Sequence, residues 1–240
     1  MHQYLCDHEL HPGETVYLDR DQAHHALNVL HLDHEEIRLI YNGRAWYALG
    51  FKDGKEFAAE VLREDPRKNE LPVRVTLCMA LIRREKMELV LQKAAELGAS
   101  RIVPFVSSRC VVKEKKERSE RQVQRWQSIL EEASNQCKRN RVPVLEPTVD
   151  IRELGQYLST DGFVGYENVF GEKPMLGEAL QGNDTTVVIG PEGGFSAKEI
   201  EELEAAGYRT VSFGSRILRA ETAAIYALSV IGDDAERRQR

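Results

Sequence analysis

Beyond about residue 72 the chain alternates short runs of β-branched and aromatic residues with longer mixed apolar and polar stretches. The short runs predict strands at 73–80, 101–106, 162–166, 185–189 and 210–213, with a further short one at 142–145, because β-branched side chains suit a pleated, buried surface. The longer stretches predict helices at 85–97, 120–136, 151–158, 174–180, 197–206 and 220–231. Ser196 with Glu199 is a capping box for the fifth of these, and Gly98 and Gly207 stand where helix C-terminal glycines belong. Such alternation implies an α/β fold with a mainly parallel sheet.

The first 68 or so residues follow another rule. Apolar segments such as Ile37-Arg38-Leu39-Ile40-Tyr41 and Trp46-Tyr47-Ala48-Leu49-Gly50-Phe51 are separated by Asn42-Gly43 and Asp53-Gly54, which are strong hairpin turns. They predict a small, mostly β unit with one short helix around 22–30. Residues 64–71 are polar and broken by Pro66, which reads as a linker and divides the chain into domains 1–70 and 71–240.

Two of the later runs end alike. Thr185-Thr186-Val187-Val188-Ile189 empties into Gly190-Pro191-Glu192-Gly193-Gly194-Phe195-Ser196, and Thr210-Val211-Ser212-Phe213 into Gly214-Ser215-Arg216-Ile217-Leu218-Arg219. Both loops lie between the carboxyl end of a strand and a helix, where open α/β sheets bind ligands. Glycines 193 and 194 let backbone approach a ligand closely, and helix-start amides favour anionic groups. Either loop alone is also explained by turn geometry; the pair points to a binding site.

Composition narrows the classes. An apolar fraction of 42% allows a substantial core, and no apolar run approaches the roughly 20 residues that span a bilayer. The N-terminus carries no basic-then-apolar signal, so a cytoplasmic protein without membrane contact is expected. The four cysteines are scattered with no C-x-x-C pair, and all seven histidines fall within the first 34 residues without zinc-ligand spacing, so no metal is expected.

Net charge is −6, which argues against a general nucleic-acid coat, and residues 1–60 hold 5 basic against 11 acidic side chains. Residues 109–125, in contrast, carry seven basic side chains against three acidic, and Lys138-Arg139-Asn140-Arg141 follows with no acid inside it. The first cluster reads equally as a solvated helix face with ion pairs; the second places charge on a loop where it can meet phosphate.

Ile189-Gly190-Pro191-Glu192-Gly193-Gly194, followed by Gly214-Ser215-Arg216-Ile217-Leu218-Arg219-Ala220-Glu221-Thr222-Ala223, resembles the signature of the RsmE family. These are S-adenosylmethionine-dependent ribosomal RNA methyltransferases of the SPOUT, or α/β-knot, superfamily. Arg84-Glu85-Lys86-Met87-Glu88, Gln92-Lys93, Glu96-Leu97-Gly98, Ser108-Arg109-Cys110 and Gln136-Cys137-Lys138-Arg139-Asn140-Arg141-Val142-Pro143 are similar too. Asn135 and Lys138 depart from the acidic residue and the glycine that the family usually carries around this Gln-Cys pair.

The resemblance implies a C-terminal α/β (trefoil) knot preceded by a small PUA-like β-barrel, and a homodimer, with which an apolar helix at 220–231 is compatible. It implies that Tyr166, Glu167, Gly190, Pro191, Glu192, Gly193, Phe213, Gly214, Ile217, Leu218 and Ala223 hold S-adenosylmethionine. It further implies methylation of N3 of a uridine in 16S ribosomal RNA, in the assembled small subunit. Arg109, Lys113, Gln136, Lys138, Arg139 and Arg141 are the expected RNA contacts. A fixed guanidinium suits the negative charge that grows at N3, so Arg219 is the first catalytic candidate and Arg139 the second. Glu221 serves as base, as orienter of Arg219, or only as an acidic residue favoured by the helix dipole. Two other classes compete: a nucleotide-phosphate enzyme, disfavoured by the lack of G-x-x-x-x-G-K-[ST] and G-x-G-x-x-G, and a catalytically silent RNA-binding scaffold.

Overall fold

The computed structural model describes residues 1–110 and 119–239. Within them the chain divides into two compact units, and the division does not follow chain order alone. Residues 134–141 group with residues 1–70, while 71–133 and 142–240 form the second unit.

The first unit is built on a five-stranded sheet made of β1 (Gln3–Leu5), β2 (Thr15–Tyr17), β3 (Glu35–Tyr41), β4 (Arg44–Asp53) and β5 (Glu56–Asp65) in the order β1-β3-β4-β5-β2. Only β1 and β3 run parallel. The β3–β4 turn has both central residues in the left-handed region, Asn42 at φ 46° and Gly43 at φ 79°, as a two-residue hairpin of right-handed twist demands. Helix α1 (Arg20–His24) starts from the Asp19 side chain, which accepts from the amides of Asp21 and Gln22. The helix expected over 22–30 is not uniform: past His24 it widens into one π turn over His25–Val29, and Ala26 is buried inside that turn.

A buried charge organises this unit. Arg38 is 0% exposed, and its guanidinium donates to Asp65 Oδ2 (2.8 Å), Gln3 Oε1 (2.9 Å), Asn140 Oδ1 (3.0 Å) and the Lys138 carbonyl (3.2 Å). The Arg67 guanidinium on Asp65 holds that carboxyl down to about 2, against the opposing effect of burial and with help from Arg38. Glu70 closes the same turn: it accepts the amides of Asn140 and Arg141 and pairs with Arg139 at 2.6 Å. Residues 64–71 are therefore not a slack linker. Two of their three carboxylates, Asp65 and Glu70, are consumed in fastening 138–141 to the sheet, which the local composition of either segment does not show.

The second unit carries β6 (Val75–Ala80), β7 (Arg101–Val106), β8 (Val144–Leu145), β9 (Val149–Asp150), β10 (Asp161–Gly165), β11 (Thr185–Ile189) and β12 (Arg209–Val211). All pair in parallel, in the order β12-β10-β11-β6-β7-β8, with β9 also on β7. Every residue of β6 and β11 is buried, as central strands covered on both faces require. The two-residue β9 has no apolar run long enough to announce it.

The helices are α2 (Arg84–Glu96), α3 (Ser119–Gln136), α4 (Leu176–Ala179), α5 (Ala197–Ala205) and α6 (Ala220–Arg237). The stretch expected as a helix near 151–158 is a 3₁₀ segment, Ile151–Tyr157, begun by a capping box from Asp150 to Glu153. Helix α6 outruns its apolar pattern because i,i+4 pairs, Asp233 with Arg237 and Asp234 with Arg238, extend it past Ile231. Among the described residues no helix is long and apolar enough to cross a membrane.

Candidate active site

Four neighbouring parallel strands, β12, β10, β11 and β6, point their carboxyl ends the same way, so the segments that follow them converge. They enclose a cavity of about 310 Å³. From β10 come Gly165, Tyr166 and Glu167; from β11, Gly190, Pro191, Glu192, Gly194 and Phe195; from β12, Phe213, Gly214, Arg216, Ile217, Leu218 and Arg219. The first turn of α6 adds Ala220 and Ala223, and α2, following β6, adds Lys86.

Two glycines are needed for this geometry. Gly194 sits at φ +67°, and a Cβ there would lie 2.6 Å from Glu167 Oε1. A Cβ on Gly165 would run into the ring of Phe213, which is itself tilted against Tyr226 at 5.4 Å between centroids. Small residues let the loops close to this distance, and aromatic packing then fixes the wall.

The loops are braced by polar contacts. Arg109 donates Nη1 to the carbonyls of Gly193 (3.2 Å) and Phe195 (3.3 Å), holding the β11 loop from outside. Glu199 is buried; burial alone would raise its pKa, but hydrogen bonds from the amides and side chains of Ser196 and Ser108 outweigh that and hold the carboxyl below its usual range. Inside, Lys86 Nζ stands 3.3 Å from Glu221 Oε2 and 3.8 Å from Glu192 Oε1, and the Arg83 amide donates to Glu192 Oε1 at 3.4 Å. The Lys86–Glu221 contact is an ion pair without hydrogen-bond geometry, since that buried oxygen accepts no hydrogen bond.

The sequence-predicted residues fall into three groups. Tyr166, Glu167, Gly190, Pro191, Glu192, Phe213, Gly214, Ile217, Leu218, Ala223 and Arg219 all line the cavity. Gly193 does not; it presents its carbonyl to Arg109 instead. Glu221 is buried behind the wall beside Lys86. Arg139, the second catalytic candidate, lies in the first unit at 4% exposure, engaged by Glu70. Of the expected RNA contacts, Gln136 and Arg141 are exposed, Lys138 is half-buried with Nζ on the Asn135 carbonyl, and Arg109 is exposed but engaged with the β11 loop. Lys113 lies outside the described residues.

Sequence reasoning left Lys86, Gly165, Ile189, Gly194, Phe195, Arg216 and Ala220 out of the expected donor-binding set, although all line the cavity. Arg216 lay inside the quoted string, and Lys86 inside a quoted segment, but only the sheet order brings α2 beside loops more than a hundred residues away.

The residues present fit a sulfonium donor. The cavity offers apolar side chains such as Leu218 and Phe213 for a flat base, loop backbone for its polar edge, and the carboxylates of Glu167 and Glu192 for a cationic centre.

Comparison with known proteins agrees with this arrangement. The RNA methyltransferase domain family matches residues 69–232. Ribosomal RNA small subunit methyltransferase E of Bacillus subtilis is 28% identical, with 97% of this chain and 95% of that protein covered. The protein of the same name from Synechocystis is 32% identical, covering 90% of this chain and 72% of its own. The crystal structure of a ribosomal RNA small subunit methyltransferase E from Neisseria gonorrhoeae, bound to S-adenosyl methionine, superposes with a TM-score of 0.88 at 32% identity over 97% of each chain. By matched residues, by relatives and by fold, the chain belongs to the RNA methyltransferase family, in its ribosomal RNA small subunit methyltransferase E branch.

Proposed function

We propose that the protein is a small-subunit ribosomal RNA methyltransferase that places a methyl group from S-adenosylmethionine on N3 of a uridine in 16S ribosomal RNA. The observation that carries this reading is Arg219: its side chain faces the cavity between the two glycine loops and has no hydrogen-bond or ion-pair partner among the described residues. When bound, the donor supplies an electrophilic methyl group. The remaining work is charge management and alignment.

Uracil N3 loses its proton to solvent water, and negative charge develops on N3 and the flanking carbonyl oxygens as that proton leaves. Arg219 donates to that charge from a position fixed by the N-terminus of α6, where it is the N-cap residue. Glu192 and Glu167 would hold the positive end of a bound donor, while Phe213, Leu218 and Ala223 form the apolar wall and exclude water. Ile217, 82% exposed at the cavity's edge, covers whichever flat ring enters last.

The same reading extends to the rest of the chain. The five-stranded first unit serves as a PUA-like barrel that helps hold RNA, with Gln136, Lys138 and Arg141 beside it, and the loops after β11 and β12 belong to a trefoil knot. Two copies associate through α6, whose Ala223, Ile225, Tyr226 and Val230 are only half-buried. The assembled small subunit in the cytoplasm is the substrate.

The test is methyl transfer from labelled S-adenosylmethionine to unmodified small subunits, followed by mass spectrometry of the nucleosides. Appearance of 3-methyluridine is the expected result. Another methylated nucleoside would move the target, and no product from protein that binds the donor would overturn the catalytic reading.

A further inference from the structure

We propose that Lys86 is a positioning residue of the transfer reaction, one that ties the β11 loop to the start of α6 by standing between Glu192 and Glu221. The inference rests on the reading of the cavity as the methyl-donor site. Lys86 is the third residue of α2, its side chain about a third exposed and facing the cavity. Its ammonium lies 3.3 Å from Glu221 and 3.8 Å from Glu192. These carboxylates belong to chain segments that leave different strands, and among the described residues no hydrogen bond runs directly between 190–194 and 214–221.

Glu221 needs this cation. Its Oε2 is buried without a hydrogen bond, and a buried carboxylate with neither partner nor counter-charge is strongly unfavourable. Glu221 does not line the cavity, whereas Lys86 does, so it serves as the anchor of Lys86. Glu192 is held more loosely, by Lys86 and by the Arg83 amide. The charged groups meeting at Glu221 are Lys86 from α2 and, across it, Glu192 from the β11 loop. Because Arg219 is the N-cap two residues before Glu221, the same contact fixes the helical turn that presents the catalytic guanidinium.

The decisive variant is Lys86→Met, which keeps the length of the side chain and removes its charge. Its kcat is expected to fall about tenfold or more, with KM for RNA within about threefold, because alignment and not uniform binding is lost. Lys86→Met with Glu221→Gln removes the orphaned charge without restoring the tie, so its kcat is expected to stay close to that of the single variant, whereas Lys86→Arg should retain most of the native rate.

A readout without turnover accompanies these. In the free protein, amide hydrogen exchange at 190–194 and 220–223 should accelerate in Lys86→Met and in the double variant, and stay near native in Lys86→Arg. Native turnover by Lys86→Met, or a double variant that recovers native turnover without the tie, would overturn the proposal. A native protein that transfers no methyl group would defeat the functional reading instead, leaving the exchange comparison to decide the tie.

Discussion

Two pairs of arginines, one in each unit, are used in opposite ways. In the first unit Arg38 and Arg139 are nearly inaccessible and are engaged by Asp65, Gln3, Asn140 and Glu70. In the second, Arg216 and Arg219 face a cavity with no hydrogen-bond or ion-pair partner among the described residues. The same guanidinium fixes backbone in one place and waits for a ligand in the other. What separates them is whether the fold delivers carboxylates to them, and only that decides which arginine is available for chemistry.

The contrast breaks most sharply at Arg219. Arg219→Ala is expected to reduce methyl transfer roughly 100- to 1000-fold, the usual cost of removing one preorganised donor from developing charge, with donor affinity within a few-fold of native. Single-turnover transfer beside calorimetric donor titration checks this; transfer near the native rate would remove Arg219 from the mechanism.

Arg38→Met probes the other side. It leaves Asn140 and the Lys138 carbonyl without their buried donor and should destabilise the first unit by about 3 kcal/mol, read from urea unfolding. The pH dependence has a definite sign: the Asp65 carboxyl, lowered to about 2 in the fold, contributes stability above its unfolded value that is lost as pH falls from about 4 towards 2. Unchanged unfolding in Arg38→Met would mean that the clasp is decorative.

The smallest effect concerns Lys138, which sits at φ +66°, in the left-handed region that favours glycine. Lys138→Gly relieves that left-handed strain at some cost in unfolded-state entropy, and a net gain of about 0.5 kcal/mol is expected in the same unfolding experiment. A loss instead would show that the Lys138 side chain, through its contact with the Asn135 carbonyl, outweighs the strain.

Much of this was legible in order along the chain. The runs at Arg101–Val106 and Thr185–Ile189 became the strands they predict, the Asn42-Gly43 turn has the backbone its residues favour, and the Ser196–Glu199 capping box opens α5. The two glycine loops were recognisable because glycine, proline and the string from Arg216 to Ala223 are contiguous. Lys138–Arg141 was only partly legible for the converse reason. Four residues without an internal acid look free, yet Glu70, about seventy residues earlier in the chain, takes the Arg139 side chain and the amides of Asn140 and Arg141, while the Arg141 side chain stays exposed.

Sequence alone therefore determined the elements whose cause is local: period, cap, turn and loop chemistry. Tertiary structure decided the pairing of charges, because a guanidinium or carboxylate binds by distance in space and carries no sign in the chain of where its partner is. Lys86 between Glu192 and Glu221, and Arg38 between Asp65 and Asn140, exist only once parallel strand order and sheet register have brought distant segments within a few ångström.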